Sequence, residues 1–555
     1  MYLSFSVKIT VLYLKKRFIM NGLATLDDEE YTFWRELRDQ ARSAIPLSLT
    51  QLIYVARMAT DTVFLGHLGE DALAGQNLAA LFYIAITAFF LAVVGGCAPL
   101  CAQAHGARKP RLMCLWFQMG VLSIIALSFV MVPCMIYGMP FLLRVCDLTP
   151  QAHEYAIQYI TVVAFAFPFE GVLLLEQTFL TSQDLMEVPS LLGMVSVGLN
   201  AVLNYLMIYG IPGYWAGLGF IGSPLTNVFT TILQLLFLMV YHSYSTSVPR
   251  LPSWRIELLL DWKKFSLLFE QVLGVLIAEG TEQWSFAILS FMVGALGTTA
   301  VSSFSVSLNH WFIIWAVNYG VGMGAQIRVA QFFGARKASL ARQCFWAGMV
   351  ICFITNSILG TGYLFGALWL GRIYTDVEVI LKNVENVRYY VIASFFSSTY
   401  NILFSFVLSA CNRNQKAGWI SALSYIGVQI PLVYILTFRY SWGLPGVWIG
   451  CLTSETVRMI GAGIGVWFLD FEEEAHFLSI QVAEHGGHMI SPSPGRTVPY
   501  PPQKPCMVVP SKSRQISPLA IPLCNLFPSS STNDEPLNGS ECYGTFELEP
   551  SIVNS

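Results

Sequence analysis

Runs of about 20 to 30 apolar residues, parted by short polar turns, fill the chain from residue 44 to residue 468. A hydrocarbon layer about 30 Å thick takes roughly 20 helical residues to cross, and that measure divides the stretch into twelve spans. The first six lie near 44–65, 73–102, 113–137, 155–180, 188–209 and 217–241. The second six lie near 265–295, 300–330, 343–370, 386–411, 417–438 and 444–468. Gly138 with Pro140, Gly210 with Pro212 and Gly213, and Gly443 with Pro445 and Gly446 supply breaks where the chain reverses.

Composition agrees with this pattern. Apolar residues make up 55% of the chain and charged residues 12%, about half the charged share of a soluble protein. With a mean hydropathy of +0.57, polar surface is too scarce to coat a soluble core. The class is all-α integral membrane, which excludes a disordered chain, a collagen and a soluble enzyme. A net charge of −3 offers no basic field for nucleic acid. The twelve cysteines form no CxxC pair and no metal-ligand spacing, so they read as reduced packing residues.

Lys and Arg set the orientation. Turns after even-numbered spans carry twelve of them, from Arg108, Lys109 and Arg111 to Arg413 and Lys416, against five on the other side. Both termini are therefore expected in the cytosol. The domain plan is a cytosolic segment 1–43, an N-lobe 44–241, an inter-lobe loop 242–264, a C-lobe 265–470 and a disordered cytosolic tail 471–555, Pro- and Ser-rich from Ser491. A glycosylation sequon at Asn538 would go unused there. Residues 1–19 read as an unstructured extension ahead of Met20 or as a consequence of start-site choice.

The sequence repeats itself. Gly-Ala-Arg-Lys occurs at 106–109 and again at 334–337, an offset of 228. The same offset lays Gly66 on Gly294, Gly69 on Gly297, Gly96 on Gly324 and Gln103 on Gln331. Six spans per repeat is an even number, so the halves are parallel repeats related by an axis along the membrane normal, an arrangement found in secondary transporters.

Ile45–Leu52, Asp61–Gly69, Cys101–Lys109, Glu282–Phe286 and Arg328–Ala335 resemble, in order, segments of the multidrug and toxic compound extrusion (MATE) transporters. The resemblance spans residues 40–470. It implies two six-helix lobes around a V-shaped cavity and export of organic cations against H⁺ or Na⁺.

Ionisable groups inside the spans are the candidates for chemistry, because a charge there is costly to bury. Glu282 sits in span seven ahead of Trp284 and Phe286. Desolvation favours its protonated form, and aromatic faces hold organic cations. It also matches the acid of the family's Glu-Trp-Trp motif; the competing reading is a packing carboxyl. Glu279, one turn earlier, is placed to share its proton. The family's second acid, five residues on, is Ala287 here, and its span-ten carboxylate falls near Thr399 to Asn401, where no acid stands.

Asp61 closes span one and matches the acid of the bacterial-type N-lobe motif. In that branch it works with two polar residues of span five, where Asn200 and Asn204 stand four apart; Thr226 in span six adds a hydroxyl. Such oxygens suit a proton relay or a Na⁺ site. Against this, Arg57 lies four residues before Asp61 and is available as an ion-pair partner. Gln51, and Glu176 with Gln177, are candidates to line the cavity. His310 reads as a packing histidine or a titrating one, and Glu455 and Arg458, three apart, as partners of each other. No Walker motif, nucleophile elbow or metal cluster is present, so neither an enzyme nor a cofactor beyond the coupling ion is expected.

The expectation is a monomeric antiporter in a plasma or vacuolar/endosomal-type bilayer. It would export organic cations, drugs or toxic metabolites in exchange for protons by rocking alternating access. The alternatives are a Na⁺-coupled antiporter of the same fold, a flippase for lipid-linked substrates, and a scaffold that signals through its tail.

Overall fold

The structure, a computed structural model, describes residues 32–144, 149–211, 213–245, 248–249 and 261–487. The expected unstructured extension at 1–19 and the sequon at Asn538 lie outside these. Apart from one isolated bridge between Ile211 and Trp215, the regular structure among the described residues is helical.

The N-lobe comprises α1 (Phe33–Gly66), α2 (Glu70–Gly106), α3 (Pro110–Leu143), α4 (Pro150–Ala164), α5 (Phe167–Thr181), α6 (Glu187–Tyr209) and α7 (Gly222–Tyr244). The C-lobe comprises α8 (Trp262–Gly294), α9 (Thr298–Gly334), α10 (Ala338–Arg372), α11 (Glu378–Ala410), α12 (Asn414–Arg439) and α13 (Leu444–Trp467). Helices α4 and α5 form one span bent by 49°, with Pro168 just inside α5, where a proline is tolerated. The fold is thus twelve transmembrane spans in two parallel six-span lobes. Among the described residues eight helices are long and apolar enough to cross a bilayer, nine with the bent pair. The other three, α1, α8 and α13, carry the ionisable residues Arg57 and Asp61, Glu279 and Glu282, and Glu455 and Arg458.

Several sequence-derived boundaries shift. The first helix extends ahead of residue 44: α1 starts at Phe33, and Glu36, fully buried, takes both Nε and Nη2 of Arg328 in α9 at 2.7 Å. Gly138 and Pro140 do not break the third helix, since Pro133 and Pro140 both lie inside α3. Neighbouring helices in a membrane bundle accommodate the carbonyls that proline frees. The tail at 471–555 is not wholly disordered, since it opens with α14 (Phe471–Gly487). Asp470 caps that helix by accepting from the N–H groups of Glu472 and Glu473 at 2.9 and 3.3 Å. Phe471, Ala475, Leu478 and Val482 form its buried stripe.

The lobes exchange contacts in the register of the repeat. Span two packs on span seven, and span eight, its repeat mate, packs on span one. Gln103 Nε2 donates across the interface to the carbonyl of Ala410 at 2.8 Å and to Asn412 Oδ1 at 3.1 Å. Gln331 Nε2 donates to the carbonyl of Ser182 at 3.0 Å and to Asp184 Oδ1 at 3.4 Å. Every member of one set lies 228 residues from its counterpart. The turn residues share a left-handed backbone, φ 60° at Asp184 and 57° at Asn412. A Cβ on Gly106 would lie 1.9 Å from the Gln331 carbonyl oxygen, and one on Gly334 2.0 Å from that of Gln103, so only glycine fits either crossing. These contacts form a two-fold latch at the end of the molecule that bears the Gly-Ala-Arg-Lys turns. From there lobe contact runs to the middle of α1 and α9, where Ser48 Oγ donates to the Val317 carbonyl at 2.7 Å.

Helix α14 lies over the latch and touches both lobes. Lys109 Nζ donates to the carbonyls of Val482 and Ala483 at 3.1 and 3.2 Å, and Trp116 meets the His485 ring edge-on at 6.0 Å. On the C-lobe side Arg413 pairs with Glu474 at 2.6 Å, and Phe471 packs on Phe333 and Phe345.

Candidate functional site

Beyond the Ser48–Val317 contact, each lobe buries a cluster of ionisable groups. In the N-lobe Asp61, 5% exposed, stands near the end of α1. Asn204 Nδ2 donates to its Oδ1 at 3.0 Å and Asn227 Nδ2 to its Oδ2 at 2.6 Å. Asn200 ties the amides together, accepting from Asn204 at 3.1 Å and donating to Asn227 at 3.2 Å. A carboxyl gripped by neutral N–H groups can change protonation without an ion pair being broken.

Asn200, Asn204 and Asp61, named from sequence, thus come together. Thr226 does not join them: its hydroxyl is given to the Gly222 carbonyl of its own helix at 2.8 Å. Asn227, turned 100° further, takes the place beside Asp61. Arg57 is not the partner of Asp61 either. Its Nη2 meets Glu170 Oε1 at 3.0 Å, and the Tyr83 hydroxyl donates to Glu170 Oε2 at 2.5 Å. Glu170 belongs to the first turn of α5, and the kink ahead of it aims the carboxylate inward.

In the C-lobe one guanidinium joins two carboxyls. Arg458 of α13 places Nη2 3.2 Å from Glu282 Oε2 of α8 and Nη1 3.3 Å from Glu455 Oε1. The Arg458–Glu455 pairing expected from their spacing is present, and Glu282 shares the cation. Tyr425 of α12 donates its hydroxyl to Glu455 Oε1 at 2.9 Å and accepts from Arg458 Nη1. Tyr425 lies within a π-helical stretch, Leu423–Gln429, a local widening frequent at functional sites. Glu279 is half-buried one turn from Glu282.

Trp284 stands two residues from Glu282, 200° around the helix, and is 45% exposed. Phe286, four residues on, returns to the same face and packs on Trp311, Phe312 and Tyr425. Where the family's span-ten acid is missing, Thr399 donates to Asn356 Oδ1 at 2.9 Å, and Asn318 donates to the same oxygen at 3.2 Å. That neutral knot fills the position.

Gln51 is half-buried in mid-α1, and Gln177 half-buried near the latch end of α5. Glu176, beside Gln177, faces away from open space and pairs with His242 Nδ1 at 2.6 Å. His310 is buried edge-on between Tyr363 and Tyr374. Sequence reasoning missed Glu170, Tyr83, Asn227 and Tyr425. Glu170 and Asn227 were visible as polar residues in apolar runs, but their faces were not.

The MatE family model matches the chain twice, over residues 46–206 and 275–435, once in each lobe. The chain belongs to the MATE family of transporters. It is similar to a probable multidrug resistance protein NorM of Bradyrhizobium diazoefficiens, 26% identical over 75% of this chain and 90% of that one. Multidrug and toxin extrusion protein 2 of Oryctolagus cuniculus is 24% identical over 83% of this chain and 77% of that one. The eukaryotic MATE transporter AtDTX14 superposes with a TM-score of 0.74 at 20% identity, covering 81% of this chain and 99% of that one. This MATE chain is therefore an integral, multi-pass membrane transporter.

Proposed function

We propose that the chain exports organic cations, drugs or toxic metabolites in exchange for protons, its lobes rocking to open the cavity to each side in turn. Five buried or half-buried carboxyls, Asp61, Glu170, Glu279, Glu282 and Glu455, face two guanidiniums, Arg57 and Arg458. That excess of negative charge within the membrane favours a cationic ligand. The observation that carries the reading is Asp61 between Asn204 and Asn227, a carboxyl with hydrogen-bond donors but no ion-pair contact. The printed names of the relatives, multidrug resistance and toxin extrusion proteins, point the same way.

In this reading the latch face is cytosolic, as its basic turns require, both termini lie on that side, and the lobes are closed inward. One chain supplies both lobes, so a monomer suffices, in a plasma or vacuolar/endosomal-type membrane. A second reading, Na⁺ coupling, is favoured by one observation: Asn204 Oδ1 is buried beside Asp61 without a hydrogen-bond partner, a hard oxygen of the kind Na⁺ takes. The deciding experiment is counterflow of a fluorescent organic cation in proteoliposomes, imposing ΔpH and ΔpNa in turn. Proton coupling expects uptake driven by ΔpH alone. A response to ΔpNa alone would replace it with the second reading.

A further inference from the structure

We propose that Arg458 is a tethered cation that competes with the transported one for Glu282, and that a proton on Glu455 decides which of the two carboxylates Arg458 serves. The inference rests on the reading of the chain as a proton-coupled exporter of organic cations.

The guanidinium is already shared. Its two Nη atoms point to carboxylates on two helices, 3.2 Å to Glu282 and 3.3 Å to Glu455. Those carboxylates differ in access, the Glu282 side chain being 17% exposed and that of Glu455 4%. An organic cation can therefore reach Glu282 but not Glu455. The cluster is also unsaturated, because Glu455 Oε2 and Arg458 Nε are both buried without a hydrogen-bond partner. A lone carboxylate oxygen inside a bundle has room for one proton and little else.

Among the described residues, charged and titratable groups reach this cluster from α8, α9 and α12, with Tyr319 of α9 acting on Glu279 and Glu282. Helix α8 brings Glu279 and Glu282, and α12 brings Tyr425. Cys451, one turn before Glu455 on α13, accepts from Gln429. Helix α11 contributes the Ser397–Thr456 hydroxyl pair at 3.0 Å.

The exchange follows from charge counting. With Glu455 ionised, Arg458 is held by Glu455 and Tyr425, and Glu282 is left to attract a cation from the cavity. When water on the open side delivers a proton to Glu455 Oε2, that carboxyl becomes neutral and Arg458 swings its charge to Glu282. The organic cation then loses its counter-charge and leaves. Release of the proton to water on the other side reverses the step. The two ligands thereby bind different states with different affinity, which coupling requires.

The test is binding of tetraphenylphosphonium, a permanent cation, to the purified full-length protein in nanodiscs between pH 5.5 and 8.5. Wild type should bind more weakly as pH falls. Glu455→Gln, which mimics the protonated acid, should bind about tenfold more weakly at pH 8, the effect of one screened charge contact, and with no pH dependence. Arg458→Gln should bind more tightly than wild type at pH 8. A Glu455→Gln protein with wild-type affinity and slope overturns the switch, and so does an Arg458→Gln protein that binds no better than wild type. If Arg458→Gln fails to fold, the near-isosteric Glu455→Gln decides alone. Wild type that neither binds nor counterflows any organic cation would instead remove the underlying reading, and this inference with it.

Discussion

Asp61 and Asn227 present the smallest test of the N-lobe cluster. Asp61→Asn keeps the volume and removes the charge, so surface expression should hold while coupled transport is lost. Asn227→Leu removes one of two amide donors to the carboxylate. Hydrogen bonds to a charged group are worth about 1.5–3 kcal/mol, so transport per molecule should fall roughly 10- to 100-fold. Wild-type flux in either variant at equal expression would dismiss the cluster. Glu36 offers a stability test away from the site. Breaking a buried ion pair costs about 3–5 kcal/mol, whereas replacing both partners by apolar residues is often neutral. Glu36→Gln should therefore melt earlier in detergent, and Glu36→Leu with Arg328→Met should recover most of the loss. A double variant as unstable as the single one would contradict this. Sequence spacing revealed Asn200 with Asn204, because four residues share a helical face. It could not show that Arg458 meets Glu282 across 176 residues.

Helix α14 carries its own pH sensitivity. Burial against Trp116, with Lys264 adding to the effect, holds the His485 imidazole below its usual value of about 6.5. Since the docked state binds fewer protons than the undocked one, docking strengthens as pH rises through this window and weakens as it falls below about 6.5. A spin-label pair between α14 and α3 should lengthen or broaden at pH 5.5, and His485→Gln should abolish the change. No change in wild type would show that His485 stays neutral or carries no weight. The apolar spans and the repeat were plain from hydrophobic runs and shared register. This helix was hidden because its stripe is short and its docking surface is built from both halves of the chain, from Lys109 to Arg413. The early start of α1 was hidden likewise, since Glu36 is buried only because Arg328 comes to meet it.

At the scale of the whole molecule, the proposed rocking cycle makes the latch the contact that sets the balance between conformations. Gly106→Ala places a methyl group where the Gln331 carbonyl oxygen lies, so the closed arrangement must loosen. Gln103→Leu with Gln331→Leu removes several inter-lobe hydrogen bonds, each worth about 1 kcal/mol net. Both variants should shift distances between spin labels on the two Gly-Ala-Arg-Lys turns toward a longer population. Unchanged distances would mean that the lobes are held elsewhere. The paired turns were legible in advance, but their mutual embrace was not, because a repeat in sequence says nothing of which half touches which.

The line of contact that reaches Ser48 and Val317 has a bearing on leakage. Helices α2 and α9, 37 residues each, are about 55 Å long at 1.5 Å per residue, and the lobe contacts described above run from the latch to the Ser48–Val317 hydrogen bond. If the lobes rock as proposed, such a pair would act as a seesaw: stiff beams that part at one end must draw together at the other, about a fulcrum near Ser48 and Val317. No separate gates would then need to be timed against one another, and rigidity alone would prevent a continuous water path. Softening a beam would then be more damaging than loosening a seal. A proline introduced at Ala92 or Gly320, close to the fulcrum, should let ions slip down their gradient without substrate, even where every carboxyl and every latch contact is intact.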